Sequence, residues 1–159
     1  MGKSSGCNPD KTGTIIRSAK RLAKRYRNLT GRPLGITGEV AEYEATQLLR
    51  LESADVRQSG YDAVRKRGGK VERLQIKGRC ILSGKPGQRI GKIDPKKEWD
   101  GVILVLMDAD FEPIEIYEAR RHEIIEALVK PGSKSRNERG ALSINKFKSI
   151  GSLIWSRGT

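Results

Sequence analysis

Two adjacent glycines set the register in the middle of this chain. In Arg65-Lys66-Arg67-Gly68-Gly69-Lys70-Val71, the Gly-Gly pair suits a two-residue primed turn, whose central positions need positive φ. With Gly68 and Gly69 in the turn, Arg67 pairs with Lys70, and counting outward sets Asp62 opposite Gln75. Directly opposed residues share one face of a sheet. Strand alternation puts Lys77 on that face too, roughly 7 Å further along. Leu74 and Ile76 point the other way, where a core would take them. A carboxylate, an amide oxygen and an ammonium therefore converge, a plausible seat for a divalent metal and a phosphate.

Charge narrows the class of partner. Lys and Arg number 32 against 19 acidic residues, a net charge of +13. A polyanion is the natural partner for such a surface, and nucleic acid is the commonest one. The basic residues spread along the whole chain, as a binding surface requires and a basic tail does not. An acidic protein is the alternative partner. A membrane-surface role lacks the large aromatic or Leu anchors it needs. The longest apolar run, Val102 to Met107, is too short to span a bilayer, and the N-terminus has no apolar stretch of signal-peptide length. A cytoplasmic location is expected. Cys7, Cys80 and the single histidine, His122, are too few and too scattered for a zinc site or a Cys-His nucleophile pair.

At 159 residues the chain reads as a mobile tail, residues 1–12, followed by a single domain from residue 13 to 159. Ile15, Ile16, Ala19, Leu22, Ala23 and Tyr26 form one helical stripe, with Lys20 and Lys24 on the basic side. Residues 28–38 are a loop, and Thr37 can cap a helix from Glu39 to about Leu51. The stripe of that second helix is Ala41, Ala45, Leu48 and Leu49. On a wheel of about 100° per residue, Glu42 lies about 75° from its centre and Glu39 about 135° away. Glu42 is thus an acid at the edge of the buried face, able to look across at a sheet; Glu44 sits at a similar angle on the opposite edge, and periodicity alone does not separate the two.

After the hairpin, residues 83–99 read as a polar connection carrying Lys85 and Arg89 and ending at Trp99, which is expected in the core. Val102–Met107 is a strand buried on both faces, Asp108–Pro113 a turn and Ile114–Tyr117 another strand. A helix from Glu118 to about Val129 stops at Pro131-Gly132. The basic loop 133–140 holds Lys134 and Arg136. The segment Leu142–Trp155 is apolar enough to fold back, with Ser143 capping a short helix. This order predicts an α/β sandwich around a mixed sheet of about four to five strands.

A helix with an acid at its core edge, then Gly60-Tyr61-Asp62, then a hairpin into Leu74-Gln75-Ile76-Lys77-Gly78, resembles the PD-(D/E)XK nuclease superfamily. The likeness runs from about Thr37 to Met107 and is greatest to the Gln-x-Lys branch, as in Mrr-like restriction enzymes. It implies a restriction-endonuclease-like core and metal-dependent hydrolysis of phosphodiester bonds, in DNA, with Mg²⁺ or Mn²⁺ and 5′-phosphate products. By the same resemblance Asp62, Gln75, Lys77 and Glu42 are the catalytic set, with Glu39 the substitute for Glu42. Asp62, the Gln75 side-chain oxygen and the Ile76 backbone carbonyl are the metal ligands. Lys20, Lys24, Arg79, Lys85, Arg89, Lys134 and Arg136 are the candidate contacts to nucleic acid. Many proteins of this fold cut two strands as homodimers, but no dimer face is legible here. Two positions depart from the pattern: Tyr61 stands where Pro is common, and Gln75 stands where an acid is usual. Loss of that charge weakens attraction for a metal and leaves open a domain that binds nucleic acid without cutting it.

Overall fold

The structure, a computed structural model, describes residues 9–55, 57–83, 88–130 and 141–158. The chain divides into two compact units, Met1–Ile36 and Thr37–Thr159. The boundary falls in the Gly- and Pro-containing stretch that the sequence marks as a loop. In the first unit, helix α1 spans Pro9–Thr30. It begins within the segment expected as a tail, because Pro at a first helical position costs no hydrogen bond and presets φ. No helix among the described residues is long and apolar enough to cross a membrane.

Among the described residues the second unit is built on a mixed sheet of six strands, where about four to five are expected from sequence. Its elements are α2 (Thr37–Leu49), β1 (Glu52–Ser53), β2 (Ala63–Arg67), β3 (Lys70–Cys80), β4 (Gly101–Met107), β5 (Pro113–Arg120), α3 (Arg121–Val129), α4 (Ile144–Ile150) and β6 (Ser152–Ser156). The strands lie in sequence order. Only β3 and β4 run parallel. The additional strands are β1, two residues long, and β6, which follows the short helix and closes the far edge.

The β2–β3 hairpin has the expected register. Arg67 pairs with Lys70 and Ala63 with Leu74, and Gly68 and Gly69 have φ of 58° and 77°. Strand β4 is buried along its whole length. Helix α3 starts at Arg121, three residues later than expected, because Glu118, Ala119 and Arg120 stay in β5. Ala119 is fully buried in the sheet, and the Glu118 carboxylate holds the Arg65 guanidinium at 2.6 Å from across the sheet. Ser143 does cap α4, accepting from Lys146 N.

Parallel neighbours need a crossover, and residues 81–100 supply it, with no helix among those of them that are described. Its last part is not the polar connection the composition suggests. Ile90, Ile93 and Trp99 are buried with Val102, Leu104 and Leu106 of β4 and with Ile124, Leu128 and Phe147 of α3 and α4. One sheet face therefore carries the crossover, α3 and α4.

Helix α2 covers the opposite face at β3 through Val40, Ala41 and Ala45, all fully buried. Val40 takes the place expected of Leu48, which is exposed. The approach is close because Gly78 has no side chain. A Cβ there would stand 2.4 Å from Ala41 Cβ and 3.1 Å from Thr37 O.

Candidate active site at the strand fork

Beyond the Ala63–Leu74 pair, β2 turns away from β3 and leaves a fork. Asp62 stands in it. Its N–H still donates to Leu74 O at 2.9 Å, while its Oδ2 accepts from Ile76 N at 2.7 Å. A carboxylate thus takes the bond that the next residue of a longer β2 would have made. The N–H and C=O of one strand residue point the same way, so the Ile76 carbonyl faces this open edge too. Asp62 Oδ1 receives no hydrogen bond from any described residue.

Gln75 is 7% exposed. Its Nε2 donates to Gly60 O at 2.7 Å, and its Oε1, shielded from solvent, has no donor among the described residues. A buried acceptor left unpaired costs about 1–3 kcal/mol. Such an atom in a folded protein calls for a ligand or a cation.

Lys77 lies two residues along the same face, half-buried and without a hydrogen bond or ion pair to any described residue. Burial lowers its ammonium below the ordinary lysine value; Asp62 and Glu42 oppose that shift and Arg79 adds to it. Glu42, on α2, is held above the ordinary carboxylate value by partial burial and by the charges of Asp62 and Glu39, with Lys77 opposing. Glu42, Asp62 and Lys77 therefore share one electrostatic neighbourhood. Glu39 enters it only as a neighbour of Glu42.

Asp62, Gln75 and Lys77 border a cavity of about 360 Å³ that is also lined by Gln58, Gly60, Tyr61, Lys92, Asp94 and Lys97. The last three come from the crossover, and sequence reasoning missed them. Ile90 and Ile93 were the available signal, since two buried isoleucines in a charged loop force the residues between and beside them down toward the sheet. This wall is fixed. Arg121 donates to Pro95 O at 2.6 Å, Trp99 O at 2.8 Å and Lys97 O at 3.0 Å, and its guanidinium sits 4.5 Å over the Trp99 ring. Trp99 Nε1 in turn donates to Asp94 O. Arg121→Met is expected to lose about 2 kcal/mol of stability, as removal of a charged donor shared by three backbone carbonyls does. Hydrogen exchange should quicken at residues 94–99, and unchanged exchange there would show that the wall stands without Arg121.

The other candidate contacts are dispersed. Arg79 Nε donates to Arg89 O and its Nη1 to Gly78 O. Arg89 Nη1 donates to Ala141 O. Both arginines therefore stitch the crossover to its surroundings. Lys20 and Lys24 belong to α1 in the first unit. Lys85, Lys134 and Arg136 lie outside the described residues. His122 is exposed on α3, and the Asp108/Asp110 pair makes a turn in which Asp108 Oδ1 accepts from Asp110 N and Glu112 N.

The oxygen donors facing the fork suit a hard divalent cation, which takes carboxylate, amide and carbonyl oxygens and keeps several waters. Among the described residues no three His, Cys, Asp or Glu side chains gather into a metal-binding group. A cation here would rest on Asp62, Gln75 Oε1 and the Ile76 carbonyl, with water or phosphate completing its shell. No protein-family model matches this chain, and no curated protein matches it.

Proposed function

We propose that the fork is the active site of a divalent-metal-dependent nuclease that hydrolyses phosphodiester bonds, in DNA, on a restriction-endonuclease-like core. The observation that carries this reading is the buried Oε1 of Gln75, which has no donor among the described residues, beside Lys77, which has no hydrogen-bond or ion-pair partner among them, and the half-used carboxylate of Asp62.

Each residue has a task. Asp62, Gln75 and the Ile76 carbonyl would hold Mg²⁺ or Mn²⁺. Bound there, the ion stabilises charge on the phosphoryl oxygens and lowers the pKa of water. Lys77 brings a positive charge to the phosphate and orients the attacking water. Its lowered pKa also suits it to take a proton from that water. Glu42, with its raised pKa, accepts hydrogen bonds from water at the rim. Lys92 and Lys97, fixed on the crossover wall, meet the neighbouring phosphates.

The test is cleavage of a DNA duplex with Mg²⁺ or Mn²⁺ by wild type, Asp62→Asn and Lys77→Met. Binding without cutting under either metal would favour a non-catalytic module, a reading to which the neutral Gln75 lends weight.

Binding itself should depend on salt. Three phosphate contacts, from Lys77, Lys92 and Lys97, give a slope of about −2.7 in log affinity against log salt. Raising KCl fourfold should therefore weaken duplex binding about 40-fold. Lys92→Ala with Lys97→Ala should flatten the slope by about 2. A slope unaffected by the double change would remove the crossover from the binding surface.

A further inference from the structure

The residue at position 75 is set by a backbone carbonyl. Gly60 O lies 2.7 Å from Gln75 Nε2. With the amide turned over, two oxygens would face each other at that distance, so the hydrogen bond decides which atom is which. Gly60 cannot easily move aside. Its φ is 104°, and a Cβ on it would stand 3.2 Å from Lys97 Cβ and 3.3 Å from Glu98 O. The carbonyl is thus wedged between the fork and the crossover wall. A glutamate at 75 would set an acceptor against an acceptor in a site that is more than nine-tenths buried.

The charge of the cavity follows from this. Its lining carries three lysines, Lys77, Lys92 and Lys97, against two aspartates, Asp62 and Asp94. Only Asp62 among the three proposed ligands is charged. A dication entering alone meets a wall whose lysines outnumber its acids. A phosphate diester meets three ammonium groups and adds the negative oxygens that the ligand set lacks.

Resting on the reading of the fork as a phosphodiester site, we infer that Gly60 is a positioning residue that admits only an amide at position 75, and that the site in consequence takes phosphate before cation.

Three measurements test this, and none reads cleavage. The first compares Gln75→Glu with Gln75→Met by thermal unfolding at pH 7.5 without metal. The carboxylate variant should melt about 5 °C or more below wild type and below the methionine variant. A carboxylate variant as stable as wild type overturns the selection by Gly60. The second follows the Gln75 side-chain amide by NMR. Its protons should exchange slowly in wild type and quickly in Gly60→Ala, whereas unchanged exchange overturns the positioning role.

The third measures duplex binding by anisotropy in EDTA and in Mg²⁺, and free Mn²⁺ by its paramagnetic resonance signal. Affinity in EDTA should stay within about threefold of that in Mg²⁺, and the protein alone should leave Mn²⁺ free at 100 µM. Tight Mn²⁺ uptake by the protein alone, or a tenfold or greater loss of duplex binding in EDTA, overturns the order. If these results hold while wild type never cuts DNA, the nuclease reading fails and the phosphate-first site stands.

Discussion

Lys77→Met is expected to lose about 10²–10³-fold in the rate of duplex cleavage while keeping its stability to within about 0.5 kcal/mol. The split follows from the surroundings of the side chain. Lys77 makes no hydrogen bond or ion pair with a described residue, so the fold loses no contact when the ammonium goes. Methionine keeps much of the stem that lies beside Gly91, where a Cβ would stand 3.8 Å from Lys77 Cδ. What disappears is a half-desolvated positive charge in the cavity, and such a charge acts on the developing anion with little screening. Asp62→Asn should do the same by another route. The asparagine oxygen can still accept from Ile76 N, so the fork closes as before, but an NH₂ group then stands where a cation needs oxygen. Its loss should also be at least about 10²-fold. Cleavage by either variant at the wild-type rate, in matched metal, would remove the fork from the chemistry.

Gly78→Ala should destabilise the second unit by about 1–3 kcal/mol, the usual range for overpacking. The sign is the informative part. Gly78 does not have positive φ, and replacing a strand glycine by alanine ordinarily helps by about 0.5–1 kcal/mol. Here the added methyl meets Ala41 Cβ at 2.4 Å, Thr37 O at 3.1 Å and Met107 Cε at 3.3 Å. The first two belong to α2, which must retreat, and Glu42 retreats with it. Denaturant unfolding should show the loss. In a Gly78→Ala background, Ala41→Gly should recover part of it, with a favourable coupling of about 1 kcal/mol in a double-mutant cycle. Additive effects would mean that α2 and β3 are not held at contact distance. The close packing of α2 is thus the role this glycine serves in the fold.

The hairpin was legible because a two-residue turn leaves no freedom in counting. Once Gly68 and Gly69 occupy it, the alternation of Gln75 and Lys77 follows from the period of a strand, whereas the expected Asp62–Gln75 pair is not made: the ladder ends at Ala63, and the Asp62 carboxylate turns to Ile76 N. Small apolar residues mark the buried side of α2 and so narrow the helix acid to Glu42 or Glu44, although Val40 rather than Leu48 completes that side. Tertiary contacts decided the rest. From sequence Glu118 and Ala119 are expected in a helix, and the Arg65 ion pair with burial in the sheet keeps them extended. The short β6 has no alternation of its own, since its apolar Leu153 and Ile154 are exposed and its order comes from pairing with β5. The crossover hid two anchors among charges. The Gly60 carbonyl, which fixes Gln75, belongs to the backbone and leaves no mark in side-chain chemistry.

The fork joins unequal partners. On one side β3 runs along β4, buried throughout; on the other β2 is a five-residue ribbon whose outer neighbour is two residues long. Asp62 comes from the frail side, Gln75 and Lys77 from the firm one. Brief fraying of the ribbon would pull the carboxylate from the ammonium while the body of the unit stays intact, so chaotropes and heat reach function first and structure afterwards.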